Sequence, residues 1–129
     1  MIDFSKNAIF NLKPISVSEV QQEVSNLYVA NEVTLSAFKT IRDQVVFTNK
    51  RIIAIDVQGI TGKRKEYSTL PYSKIQYFSV QTPGFAELIP DCELELYFSN
   101  NEKKVVFEFK GNCDIISIGR SISEYVLAD

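Results

Sequence analysis

The sequence predicts one mainly β domain, built from antiparallel strands with a helix near each end. The first observation is a central stretch, residues 43–75, where three runs rich in Val, Ile, Phe and Tyr are separated by polar, turn-forming clusters. The second is the alternation of apolar and polar residues in residues 92–99 and 105–109. The third is an apolar stripe at helical spacing in residues 114–127, which predicts a closing helix.

The composition fits a single globular domain that covers residues 1–129. The net charge of −2 gives no general attraction to nucleic acid, so no nucleic-acid partner is expected. No apolar run approaches the roughly 18 residues that a membrane span needs. The two cysteines and an N-terminus without a signal-like pattern predict a cytoplasmic protein.

The N-terminal region divides into an arm and a helix. Residues 1–16 are weakly patterned, and we expect an irregular arm there. Ser16-Val17-Ser18-Glu19 has the pattern of a capping box, with Ser at the cap and Glu three residues later. Apolar residues then recur at helical spacing, at Val17, Val20, Val24, Leu27 and Tyr28. A helix is therefore predicted over residues 17–28.

Residues 32–110 are predicted to form a β-sandwich of about seven antiparallel strands. Turns are expected at residues 48–51 and 58–62, where Gly59 and Gly62 supply positive φ without a steric cost. Pro71 has no backbone N–H, so regular pairing is expected to end there.

Alternation assigns the two faces of the other strands. In residues 32–39, one face carries Val33, Leu35 and Ala37. In residues 75–81, Phe78 and Val80 share a face that excludes Ile75. In residues 92–99, the inward side chains are Cys92, Leu94, Leu96 and Phe98, and the outward ones are Glu93, Glu95 and Tyr97.

The last element is predicted to be a helix over residues 114–127. Asn112 or Asp114 can cap it. Its apolar stripe consists of Ile115, Ile118, Ile122 and Val126. This face is expected to cover the sandwich.

The residues that usually carry catalysis are scarce. The chain has no histidine, which removes the commonest general base and the commonest zinc ligand. Cys92 has the parity of a core residue, and Cys113 has no partner pattern. Gly62-Lys63 lacks the rest of a phosphate-loop motif. We expect no enzyme activity, no cofactor and no metal site.

Several short pieces recur in a fixed order along the middle of the chain. They are Phe47-Thr48-Asn49-Lys50-Arg51-Ile52-Ile53, Gln58-Gly59-Ile60-Thr61-Gly62-Lys63, Leu70-Pro71-Tyr72 and Phe78-Ser79-Val80. This pattern resembles the single-domain bacterial pleckstrin-homology family, formerly a domain of unknown function. The resemblance covers about residues 17–127, with Gln81 where the family has an acidic residue. It implies a PH-like β-sandwich or partly open barrel of two nearly orthogonal sheets, closed at one corner by the C-terminal helix.

The resemblance also implies self-association, because relatives form ring-shaped homo-oligomers, pentameric rings among them. The expected partner is therefore another copy of this chain, and an unknown protein partner stays open. The sequence adds outward-facing aromatics at Tyr77 and Tyr97, and an apolar loop that contains Phe85. Aromatic residues are enriched in interface cores.

A second hypothesis is an anion or membrane contact through the hairpin around residue 60. Its residues are Ile60 at the tip and the basic run Lys63, Arg64 and Lys65. The competing interpretation is charge that protects a strand edge and keeps the protein soluble. The loop after the first predicted strand offers only Lys39 and Arg42, so we rank membrane contact below self-association. Little liposome binding at physiological salt is expected.

Overall fold

The structure is a computed structural model that describes residues 8–82, 91–99, 104–111 and 114–128. The elements within these residues are β1 (Ala8–Ile15), α1 (Ser18–Val24), β2 (Thr34–Lys39), β3 (Gln44–Thr48), β4 (Arg51–Gln58), β5 (Arg64–Pro71), β6 (Ile75–Gln81), β7 (Cys92–Phe98), β8 (Val105–Phe109) and α2 (Ile115–Val126). Single 3-10 turns follow α1 and β5, at Ser25–Leu27 and Tyr72–Lys74. The strands form one curled, open sheet in the order β5-β4-β3-β2-β1-β8-β7-β6. The predicted mainly β class is confirmed.

The expectation of an irregular N-terminal arm is wrong for residues 8–15, because this segment forms β1. β1 pairs antiparallel with β2 and parallel with β8, so it joins the two halves of the sheet. Ile9 and Leu12 are both buried, although they are three residues apart, because the register shifts between them and Asn11 takes a φ of 65°. This bulge disrupts the period-2 pattern that marks a strand. The described part of the chain therefore has eight strands, where about seven were predicted.

α1 is shorter than the predicted helix over residues 17–28, since the α-helix ends at Val24 and a 3-10 turn follows. The capping box is half formed. Glu19 Oε2 accepts the Ser16 N–H at 3.1 Å, but Ser16 Oγ accepts from the Ser18 N–H at 3.3 Å. Val20 and Val24 are fully buried against the sheet. This docking stabilises a seven-residue helix that would be marginal in isolation.

β3 and β4 are buried on both faces, which explains their unbroken apolar runs. On one face, Val45 and Ile52 belong to the main core between the sheet and α2. On the other face, Val46 and Ile53 pack with the valines of α1. The sheet is therefore covered from both sides at β3 and β4.

α2 closes the main core and confirms the predicted C-terminal helix. Asp114 caps it, with Oδ1 accepting the Ser117 N–H at 3.1 Å. Its buried stripe is Ile115, Ile118 and Ile122. Gly119 lies so close to β6 that a Cβ there would come 3.1 Å from Val80 Cγ1. α2 therefore covers the inner face of β6 and leaves its other face available.

Two further register shifts change the predicted faces of strands. A shift early in β2 leaves Val33 and Leu35 52% and 40% exposed, although Ala37 on the same predicted face is buried. A shift early in β6 puts Ile75 in the core together with Phe78. An extra residue reverses the parity of a strand beyond it, so alternation alone misassigns one end.

β7 follows the predicted alternation on its inner face, and Leu96 is fully buried. Leu96→Ala is expected to lower the free energy of unfolding by about 2–5 kcal/mol, because the truncation leaves a cavity in the core. Denaturant-induced unfolding measures this change. Leu127→Ala is the control, since Leu127 is 76% exposed and its truncation should change stability by less than about 0.5 kcal/mol. An equally small effect of Leu96→Ala would show that the inner face of β7 is misassigned.

Candidate interaction surfaces

Tyr77 on β6 and Tyr97 on β7 form a stacked pair on the outer side of the sheet. The two residues are register partners, and their ring centroids lie 4.0 Å apart with 8° between the ring planes. Tyr77 is 54% exposed. The structure thus brings these two predicted contact residues together. Phe85, the third residue predicted for an oligomer contact, lies outside the described residues.

Glu95, which was predicted to face outward, holds the tyrosine pair in place. It is only 7% exposed, and its Oε1 accepts from Lys104 Nζ at 3.1 Å and from Gln81 Nε2 at 3.3 Å. The Tyr97 hydroxyl donates to Glu95 Oε2 at 3.0 Å. This hydrogen bond raises the pKa of Tyr97, so the hydroxyl stays a donor. Two hydrogen-bonded neighbours therefore fix the carboxylate that orients Tyr97.

The edge strand that carries Tyr77 lacks the usual protection against pairing. β6 lies at one end of the sheet order, and Ile75–Gln81 contains neither a charged residue nor a proline. Edge strands of monomeric proteins are commonly protected by such residues. β5, at the other end of the described sheet, carries Arg64, Lys65, Glu66 and Pro71. β6 is therefore the less protected of these two edges.

The predicted basic hairpin forms between β4 and β5. Gly59 and Gly62 have φ values of 79° and 68°, as the tight turn requires. Ile60 is fully exposed at the tip. Lys63, at the end of the turn, and Arg64, the first residue of β5, are both exposed. The hairpin therefore places an apolar tip close to two accessible cations.

Lys65, the third basic residue of the run, is bound to α1. Glu23 Oε2 accepts from Lys65 Nζ at 2.7 Å and from the Tyr67 hydroxyl at 2.6 Å. Burial opposes the ionisation of Glu23, but these hydrogen bonds and the charge of Lys65 outweigh it and lower the pKa of Glu23. Burial and the bond to Glu23 raise the pKa of Tyr67 to about 12. Lys65 consequently offers less charge to an external anion than Lys63 or Arg64.

The turn between β2 and β3 lies against this hairpin. Arg42 Nη2 donates to Gly59 O at 2.6 Å, and the Val57 N–H donates to Asp43 Oδ1 at 3.3 Å. Ile41, in the same turn, is fully exposed, as Ile60 is in the hairpin. Two exposed isoleucines thus lie on neighbouring turns that are linked by hydrogen bonds.

A groove of about 740 Å³ opens beside the β2–β3 turn. Its walls come from β1, the end of β2, the turn itself and the residue after β8. The charged lining residues are Lys13, Lys39, Arg42, Asp43 and Lys110, and the apolar ones are Phe10 and Ile41. Lys13 and Lys110 were not predicted as site residues, because they reach Lys39 only through the pairing of β1 with β2 and β8. The local sequence around Lys13 and Lys110 does not predict that they lie near Lys39.

Glu32 is a buried carboxylate away from these surfaces, and its contacts are structural. Its two oxygens accept from Arg51 Nε and Nη2 at 2.9 and 3.0 Å, and further bonds come from Thr48 Oγ1 at 2.7 Å and the Val29 N–H at 3.0 Å. Burial opposes its charge, but these bonds and the charge of Arg51 outweigh it and lower the pKa of Glu32. A carboxylate held ionised in this way is a poor general acid or base near neutral pH.

Three further features bear on function: possible metal ligands, the two cysteines and possible membrane-spanning helices. Across the described ranges, no group of three or more His, Cys, Asp or Glu side chains could hold a metal ion. Cys92 is buried, as predicted, and Cys113 lies outside those ranges. No helix in the same part of the chain has the length and apolar character needed to cross a membrane. The candidate sites are thus surfaces for contact: a sheet edge, two turn tips and a cationic groove.

An open, curled sheet closed by a C-terminal helix, with its candidate sites on turns and an edge, defines a PH-like module. The family model of the bacterial PH domain matches residues 3–126, and the chain belongs to that family. The match begins earlier than the resemblance over residues 17–127 and includes β1. Both the predicted family and the predicted PH-like fold are confirmed.

Relatives agree with this assignment over nearly their whole length. The uncharacterized protein YjqA of Bacillus subtilis strain 168 is 37% identical over 121 residues, which cover 93% of this chain and 95% of the relative. A DUF1696 family protein with a pleckstrin-homology domain from Shewanella loihica PV-4 has a TM-score of 0.79 at 36% identity, covering 92% of this chain and 99% of that one. A pleckstrin-homology domain from Shewanella amazonensis SB2B has a TM-score of 0.67 at 37% identity, covering 88% and 90%.

Arg51→Met should be strongly and pH-dependently destabilising. At pH 7 we expect a loss of about 3–5 kcal/mol, because Glu32 would stay buried without its cation. Since the pKa of Glu32 is lowered in the native protein, the stability from this pair is complete above its ordinary value of 4.5 and is lost as pH falls through the lower folded value. The deficit of the variant should therefore shrink as the pH is taken below about 4.5.

Denaturant-induced unfolding at a series of pH values measures this deficit. Arg120→Met is the matched control, because Arg120 is exposed on α2, and it should cost less than about 0.5 kcal/mol throughout. A deficit for Arg51→Met that is equally small at pH 7 would contradict the structural role of the pair.

Proposed function

We propose that this PH-like domain is a cytoplasmic, non-enzymatic interaction module that assembles with copies of itself into a ring-type homo-oligomer. The observation that carries the proposal is the exposed Tyr77–Tyr97 stack beside β6, the less protected edge of the described sheet. Tyrosine is enriched in interface cores because it buries a large area at a low cost in side-chain entropy.

The tyrosine pair is suited to an interface because it is already rigid. Tyr97 is oriented by Glu95, which is itself held by Lys104 and Gln81. Tyr77 stacks on Tyr97 and keeps about half of its surface exposed. Little freedom is left to lose when a second molecule covers the pair, so most of the gain from burial remains as affinity.

The form of the sheet supports a ring rather than a two-fold dimer. The two ends of its order are different strands, β5 and β6. A contact of β6 in one copy with a different surface of the next copy is head-to-tail, and such contacts close into rings when their rotation is suitable. It would cover the less protected edge of every subunit. Pentamers are among the rings that the family resemblance implies.

A non-enzymatic role is supported by membership in the bacterial PH domain family and by the lack of histidine. The buried carboxylate Glu32 is committed to Arg51. A ring would instead repeat each surface of the subunit, which suits the binding of a further protein partner through several weak contacts.

The assembly state in solution tests the proposal. Size-exclusion chromatography with light scattering at micromolar concentration should give a mass that is a multiple of the 14.7 kDa chain mass. Ser79→Lys, which puts a charge in the middle of the β6 edge, should shift the protein to the monomeric mass because a charged edge resists pairing. Ser25→Lys makes the same change at the exposed end of α1 and should leave the assembly intact.

Two outcomes would count against this function. A monomeric mass for the wild-type protein across the micromolar range would exclude self-assembly. An assembly that survives Ser79→Lys unchanged would show that β6 is not the contact.

A further inference from the structure

We propose that the basic hairpin of one copy docks on the outer side of β6, β7 and β8 in the next copy. The hairpin contributes Ile60, Lys63 and Arg64. The receiving face contributes the tyrosine pair together with two carboxylates, Glu93 and Glu108. This contact rests on the proposed self-assembly, and it supplies the second surface that would cover the tyrosines.

Two opposed carboxylates lie on the outer side of β7 and β8. Glu93 and Glu108 are direct register partners in an antiparallel pair, and both are half-buried. Like charges in directly opposed positions destabilise a sheet. Neither carboxylate forms a salt bridge with a described residue. A cation from a second molecule would therefore relieve a repulsion that the fold of the subunit creates.

The cations nearest to this pair are bound to other carboxylates. Glu95, the next outward residue of β7, accepts from Lys104 Nζ at 3.1 Å. Lys110, two residues after Glu108, has its Nζ 3.2 Å from Asp91. The excess charge on this side of the sheet is therefore negative among the described residues.

The basic hairpin has the complementary combination of charge and apolar surface. Ile60 is fully exposed at its tip. Lys63 and Arg64 are exposed, and neither forms a salt bridge within the described part of the chain. Glu66, on the same strand, accepts instead from Gln58 Nε2 at 3.2 Å. An apolar tip with two cations thus matches an aromatic pair beside two like-charged carboxylates.

The two surfaces also match in extent. Glu93 and Tyr97 are four residues apart on β7, which corresponds to about 13 Å at roughly 3.3 Å per residue. On the hairpin, the apolar tip and both cations lie within residues 60–64, and the long stems of Lys and Arg extend the reach of their charges. A hairpin laid along β7 can therefore cover the tyrosines while its cations contact the carboxylates.

The positions of the two surfaces make the contact head-to-tail. The hairpin joins β4 to β5 at one end of the sheet order, whereas the receiving face lies on the three strands at the other end. α1 packs on the outer side of the sheet at β2, β3 and β4 and leaves Tyr77 54% exposed. Every copy carries one hairpin and one face, so a closed ring can occupy both in each subunit.

Charge reversal and its rescue test this contact on the full chain. In size-exclusion chromatography with light scattering at micromolar concentration, Lys63→Glu/Arg64→Glu should shift the assembly to the monomeric mass of 14.7 kDa. Glu93→Lys/Glu108→Lys should do the same, because like charges would then meet across the contact. The four substitutions together restore opposite charges and should restore the assembly.

Lys50→Glu/Lys74→Glu is the matched control. It changes the net charge as much as the hairpin variant does, at two exposed lysines outside the hairpin, and the assembly should stay intact. Thermal unfolding of each variant shows whether it is folded. Cross-linking gives a second measurement: under mild oxidation, a mixture of Ile60→Cys and Ser79→Cys proteins should form a disulfide-linked dimer that neither protein forms alone.

The results distinguish this contact from the self-assembly on which it rests. A monomeric wild-type protein would overturn both. An assembly that survives Lys63→Glu/Arg64→Glu, without a cross-link between the two cysteine variants, would overturn the docked hairpin and leave self-assembly standing. Salt-sensitive binding to acidic vesicles that is lost in that variant, with the assembly intact, would assign the hairpin to a membrane surface instead.

Discussion

The ion pair between Glu32 and Arg51 is the contact on which the packing of α1, the β3–β4 turn and β5 depends. Glu32 lies in the segment that leads from α1 to β2, and Arg51 begins β4. The arginine binds both oxygens of the carboxylate and also donates to Leu27 O and Thr69 Oγ1. One side chain thus fastens the end of α1, the β3–β4 turn and β5 to each other. The pair is buried, so loss of either partner would leave an uncompensated charge inside the protein.

The sequence could predict the elements whose apolar residues recur with a regular period. It could not predict those in which the period is interrupted. β7, β8 and α2 have clean periods, and their buried residues, such as Leu96 and Ile122, were identified correctly. β1 was missed because its bulge at Asn11 places two buried residues three apart. The outward parity of Glu95 was predicted, but its burial was not, because Gln81 on β6 and Lys104 just before β8 close over it. Alternation gives the direction of a side chain and not what covers it.

The candidate surfaces also differ in how far the sequence predicts them, because some are local in sequence and others are assembled across the sheet. The basic hairpin is local in sequence and was therefore predictable. The salt bridge between Lys65 and Glu23 was not predictable, because those residues are 42 positions apart. The groove is wholly non-local, since Lys13, Lys39 and Lys110 come from three strand ends. Its components became neighbours once β1 was placed between β2 and β8. A cationic site assembled across a sheet leaves no run of charges in the sequence.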